Sequence, residues 1–129
     1  MEAYAVDLQN KSKESQESGH PKSVKKMFAA LYAGDLIHLK SLVAKWTDEG
    51  DESWADFEDA WGNNLLHCCC ASNCNGKGVQ VLEFLIGTGL FDINSKNGDG
   101  GRTPLMLAAW SGHGEVCEEL CWRKNYQKI

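Results

Sequence analysis

A helical hairpin that recurs at a spacing of 39 residues constrains this chain more than any other feature. Gly34, Asn73 and Gly112 occupy the same point of each unit, and Met27, Leu66 and Leu105 fall seven residues before them. In the first unit Val24, Met27, Phe28 and Leu31 follow the i, i+3, i+4, i+7 stripe of an amphipathic helix. Leu36, Leu39, Leu42, Val43 and Trp46 then keep one face of a second helix apolar, and the outer helices align as Leu39/Leu42/Val43, Leu82/Leu85/Ile86 and Cys117/Leu120/Cys121. Such a unit buries its apolar face only against a neighbour, so the units must stack. The expected fold is an all-α solenoid of helix-turn-helix units joined by long loops.

The best-formed copy reads Gly101-Arg102-Thr103-Pro104-Leu105-Met106-Leu107-Ala108-Ala109-Trp110-Ser111-Gly112-His113-Gly114-Glu115-Val116. It resembles an ankyrin repeat, whose signature is Thr-Pro-Leu-His-x-Ala. The middle copy, Asp59 to Cys70, is similar, with Asn64 and Leu65 in place of Thr and Pro, and the first, Lys25 to Asp35, is degenerate. The resemblance spans about residues 22 to 122 and implies nearly three repeats, about 22–58, 59–97 and 98–129, behind a disordered polar tail at residues 1–21.

The motif residues have physical tasks. Thr103 and Asn64 are expected to cap the inner helices, Pro104 suits a first helical position, and Gly34 and Gly112 supply a left-handed turn residue for which Asn73 substitutes. Ala108 and Ala109, with Cys69 and Cys70 in the middle copy, lie where neighbouring inner helices touch. A family repeat is about 33 residues long, so each interval carries about six extra. They are expected in the loop Thr47 to Trp61, between Cys70 and Val79, and near Asn97-Gly98-Asp99-Gly100.

Charge and cysteine content bound the function. Residues 1–45 carry seven Lys against five Asp/Glu and residues 46–129 carry six Lys/Arg against thirteen Asp/Glu, so nucleic acid is not an expected partner. No apolar run is long enough for a membrane span. Cys68, Cys69 and Cys70 are adjacent, which suits reduced thiols inside the cell, cytoplasmic or nuclear, better than a disulfide scaffold. His67, Cys70 and Cys74 at i, i+3, i+7 admit a metal site or thiol sensor. Yet Cys-x-x-Cys pairing is missing and the repeat register makes these cysteines small buried residues, so no metal or cofactor is expected. Cys117 and Cys121 are read as outer-helix core positions. No catalytic motif is present, and the chain is not expected to be an enzyme.

What remains is recognition. In a stack of this kind the resemblance implies that a protein partner lies across the concave face of inner helices and loop tips, which here would include Tyr32, Trp61, Asn63, Asp99, Arg102 and Trp110. Trp, Tyr and Arg dominate binding energies, although Trp61 and Trp110 could equally pack against adjacent repeats. A second candidate is the acidic loop Asp48 to Asp59, with seven carboxylates in twelve residues. Asp51, Glu52, Asp56 and Glu58 lie there among Trp54 and Phe57, a surface suited to a partner with a basic segment. The leading expectation is a non-catalytic protein-protein interaction module. The alternatives are a thiol or metal sensor built on Cys68–Cys70 and Cys74, or an N-terminal regulatory part of a larger protein. Trp122, Tyr126 and Ile129 stand where a polar cap is expected, so the uncapped third repeat is a candidate for self-association.

Overall fold

A computed structural model describes residues 21–127, so residues 1–20 of the tail and Ile129 lie outside the described residues. Among the described residues there are six α-helices: α1 (Pro21–Ala33), α2 (Leu36–Asp48), α3 (Leu65–Ser72), α4 (Gly78–Gly87), α5 (Pro104–Trp110) and α6 (Gly114–Gln127). Among the described residues there is no strand. The helices pair as three hairpins, α1 with α2, α3 with α4 and α5 with α6. The inner helices pack in the order α1, α3, α5, and α4 lies against α6.

The stripes read from the sequence form the core. Val24, Met27, Phe28 and Leu31 of α1 are buried, as are Leu39, Leu42, Val43 and Trp46 of α2. Helix α3 lies between two inner helices and is buried from Leu65 through Ala71, so its cysteines are packing residues of small volume. The inner-helix starts follow the expected capping chemistry. Thr103 Oγ1 accepts the Met106 N–H at 3.3 Å, and Pro104 fills the first helical position. Asn64 Oδ1 accepts the His67 N–H at 2.9 Å while His67 Nδ1 accepts the Asn64 N–H at 3.1 Å, closing a reciprocal box.

The first and third turns are built alike. The Gly34 and Asp35 N–H groups bond back to the Leu31 and Ala30 carbonyls at 3.1 and 2.9 Å, and those of Gly112 and His113 to the Ala109 and Ala108 carbonyls at 3.2 and 3.0 Å. This closure needs a left-handed residue, and Gly34, Asn73 and Gly112 have φ of 73, 59 and 76°. The middle turn differs because Cys74, Asn75 and Gly76 are inserted before the outer helix begins. Cys74 and Asn75 are also left-handed, at φ 46 and 53°. The insert lies on the first turn: a Cβ on Gly34 would stand 2.5 Å from the Cys74 carbonyl oxygen, and Asn75 Nδ2 reaches the Ala33 carbonyl at 3.4 Å.

Three expectations are corrected by packing. Helix α2 runs on through Thr47 to Asp48, so the first long loop starts later and contains a 3₁₀ turn at Ser53–Asp56. Cys121 is exposed, while Cys117 is half-buried against the core and Leu120 is buried as expected, with Val116 beside it. Ala109 is exposed although Cys70, at the same point of the middle hairpin, is fully buried, because another inner helix packs on α3 and, among the described residues, none packs beyond α5.

Candidate functional site

The two long loops are held tip to tip. In the first, Asp59 is buried, and its Oδ1 accepts the N–H groups of Trp61 and Asn63, each at 2.9 Å. The Asp59 N–H in turn donates to the Asn63 carbonyl at 2.9 Å, which closes a tight turn at Trp61-Gly62. In the second loop the Asn97 N–H donates to the Arg102 carbonyl and the Arg102 N–H to Asn97 Oδ1, both at 2.8 Å. The loops join where Asn97 Nδ2 donates to Asn63 Oδ1 at 2.8 Å and the Gly98 N–H to the Gly62 carbonyl at 3.2 Å. Gly62 has φ +76° and a Cβ there would lie 2.5 Å from the Gly98 nitrogen, so only glycine permits this contact.

His67 ties the same loop to the inner helix from below. Its Nδ1 accepts a backbone N–H, so Nε2 carries the proton and donates to the Ser95 carbonyl at 2.9 Å. Burial pushes the imidazole below its ordinary pKa, opposed by the Ser95 carbonyl and by Glu58 and Asp59. His113, beside the third turn, reaches back to the middle hairpin, with Nε2 on the Ala71 carbonyl at 3.0 Å.

On this framework Asp99, Arg102 and Trp110 come together at the surface. Arg102 Nη1 is 3.4 Å from Asp99 Oδ2 and donates to the Asp99 carbonyl at 3.0 Å. Its guanidinium carbon sits 5.6 Å from the Trp110 ring centroid, a cation–π contact. Trp110 is 83% exposed. Beside this group a cleft of about 380 Å³ is lined by Glu58, Asp59, Ala60, Trp61, Gly62, Gly98 and Asp99. Trp61 is half-buried at its edge, and Asp51 is half-buried while Glu52, Asp56 and Glu58 are exposed further along the loop.

Other expected site residues lie elsewhere. Asn63 is 0% exposed and is occupied with Asp59 and Asn97, so it pins the loops and offers nothing to a partner. Trp54 is 1% exposed and stacks edge-on against Phe91 at 5.7 Å, which makes it a core residue instead of a contact residue of the acidic loop. Phe57 is half-buried against Trp46, with ring centroids 6.0 Å apart. Tyr32 is half-buried and hydrogen-bonds Cys68 of the next hairpin, so it belongs to the stack between repeats. These aromatic residues fill the space under loops that no periodic pattern predicts.

Two surface features were not anticipated. Met106 stands where the signature has histidine and is 56% exposed. A groove of about 860 Å³ between α4 and α6 is lined by Glu83, Glu115, Glu118, Glu119 and Trp122, with Arg123 bonded to Glu119 at 2.8 Å. The run Glu115, Glu118, Glu119 was its sequence signal, at a spacing that puts all three near one helix face.

The cysteines of α3 are fully packed. Burial, and then the Asp59 carboxylate 3.7 Å away, push the Cys68 thiol well above its ordinary pKa. Hydrogen bonding with Cys70 and Cys74, then burial, does the same to Cys69. Among the described residues no three His, Cys, Asp or Glu side chains converge as metal ligands. No helix among them is long and apolar enough to cross a membrane.

Stacked helical hairpins with loop tips joined along one edge define a repeat solenoid. The chain belongs to the ankyrin repeat family: three copies of the family pattern match residues 26–129. Repeats of this family are typically protein-protein interaction modules and usually have no catalytic role. No curated protein matches the chain.

Proposed function

We propose that the chain is a non-catalytic module that holds a protein partner against the loop tips and the adjoining end of α5. The observation that carries this reading is the exposed group of Asp99, Arg102 and Trp110, three side chains prearranged by an ion pair and a cation–π contact. Preorganisation lowers the entropy lost on binding, and Trp and Arg are the residue types that most often dominate interface energies. The supporting loops are rigid at their junction, where backbone meets backbone at Gly62 and Gly98. The cleft beside Trp61 is edged by Glu58 and Asp99, and Glu52 and Asp56 extend the negative charge, so the partner presents a basic segment. Thiols that are buried and raised in pKa serve packing better than sensing. Such thiols also suit the reducing interior of a cell.

The test is partner capture followed by titration of the purified partner against variants. Trp61→Ala with Trp110→Ala should weaken binding by at least roughly tenfold, while Ile37→Ala, which truncates an equally exposed residue far along the outer layer, should not. Equal affinity for both variants would remove the site from the loop tips.

A further inference from the structure

Three hairpins in register allow one surface position to be compared three times. On the side of each inner helix that faces the following hairpin stand Phe28, His67 and Met106, then Leu31, Cys70 and Ala109, then Tyr32, Ala71 and Trp110. In the first two hairpins five of these six residues are buried and Tyr32 is half-buried, because α3 covers α1 and α5 covers α3. In the third hairpin all three lie exposed. The outer layer agrees: Val43 is buried and Cys121, at the same point of α6, is exposed. The forward side of α5 therefore stands in the register of a stacking surface and is apolar, and no helix covers it among the described residues.

The opposite end of the stack is finished differently. On the backward side of α1 Lys26 and Ala29 are exposed, where Leu65 and Cys68 of α3 and Pro104 and Leu107 of α5 are buried. Lys25 and Lys26 make that side of the first hairpin polar. Head-to-tail stacking of two copies would desolvate these ammonium groups against the apolar Met106 and Ala109, and it would not close.

A two-fold arrangement avoids both problems. It brings the same patch against itself, so the rim must carry charges of both signs to be self-complementary. Asp99 and Arg102 meet that condition at the edge of the patch, 52 and 40% exposed. We infer that the forward face of the third hairpin is a homodimer interface, in which Met106, Ala109 and Trp110 of two copies pack together across a two-fold axis with Asp99 of each opposite Arg102 of the other. The dimer would cover Trp110, Asp99 and Arg102 of the loop-tip group and so compete with the basic partner; self-association of the chain alone, read with a variant at Met106, which has no part in the loop-tip site, tells the two apart.

Sedimentation of the full chain over a wide dilution series should show a monomer–dimer equilibrium with no larger species. Met106→Glu should shift it to monomer with helicity unchanged, and Lys26→Glu should leave it as it is. Asp99→Arg and Arg102→Asp should each weaken self-association by about tenfold, whereas a mixture of the two variants should restore a heterodimer. A monomer at every concentration would overturn the inference, whether a tail segment or another protein covers the face. So would species that keep growing with concentration, which report head-to-tail stacking, or a Met106→Glu dimer as stable as the wild type.

Discussion

Asn63 and Asn97, 34 residues apart in the chain, meet amide to amide in the interior, Nδ2 of Asn97 donating to Oδ1 of Asn63 at 2.8 Å. Each also serves its own loop: Asn63 is bonded to Asp59, and Asn97 accepts the Arg102 N–H. The pair therefore joins two loops that no helix contact would otherwise hold at their tips. Asn97→Ala leaves the Arg102 N–H and Asn63 Oδ1 without this partner and should cost about 1–3 kcal/mol. Urea unfolding checks the value, and a double-mutant cycle with Asn63→Ala should show positive coupling.

Gly62 and Gly112 have the same φ of 76° and opposite surroundings. Gly112→Ala meets nothing within 4 Å, so only the left-handed strain of roughly 1–2 kcal/mol applies. Gly62→Ala adds a clash with the Gly98 backbone, where a Cβ would lie 2.5 Å from nitrogen. Gly62→Ala should accordingly lower the unfolding midpoint more than Gly112→Ala. Equal losses would show that the loop tips yield without cost.

The turns and caps at these positions were legible because they depend on neighbours a few residues away. Gly34 and Gly112 were assigned their backbone from the sequence, and Asn64 and Thr103 their hydrogen bonds. The joining of the loops was not, since it depends on two distant segments arriving at one place.

His67 is buried neutral, with its pKa depressed by desolvation against the opposing pull of the Ser95 carbonyl, Glu58 and Asp59. The unfolded chain then binds more protons than the native one as pH falls below the unfolded value of about 6.5. The stability contributed by neutral His67 is complete above that pH and is lost as pH falls through the folded pKa, at no more than about 1.4 kcal/mol per unit. Urea unfolding of wild type and His67→Gln between pH 7.5 and 5 should show a steeper decline for the wild type, in that range only. Parallel curves would mean that His67 is not held neutral.

Trp54 and Trp110 are the same residue type with opposite burial, 1 and 83% exposed. Trp54→Ala empties a core site against Phe91 and should cost about 3–5 kcal/mol, enough to unfold much of a marginal domain. Trp110→Ala should stay within about 0.5 kcal/mol of wild type when both are compared at dilutions where the chain is monomeric. Thermal unfolding by circular dichroism separates the two. A large loss at Trp110 would show that its ring supports the fold.

Brief alkylation of the native chain should label Cys121 first and Cys117 more slowly, leaving Cys68, Cys69, Cys70 and Cys74 unmodified until denaturant is added. Peptide mass mapping reads the order directly. Early modification of Cys69 or Cys74 would revive a thiol-sensing role for the inserted turn.

The sequence by itself determined the hairpin, its repetition, its caps and its buried stripes, because each is written in spacings of three to five residues that local backbone geometry enforces. The resemblance to the repeat family, carried over by register, implied Asp99, Arg102 and Trp110 as residues of one face, with packing against a neighbouring repeat an equal alternative for Trp110. Only the tertiary structure decided that Asn63, Trp54 and Tyr32 turn inward and that Met106, Ala109 and Cys121 are exposed. Burial at those positions depends on whether another hairpin lies alongside, and a repeat pattern is the same for a covered face and an open one.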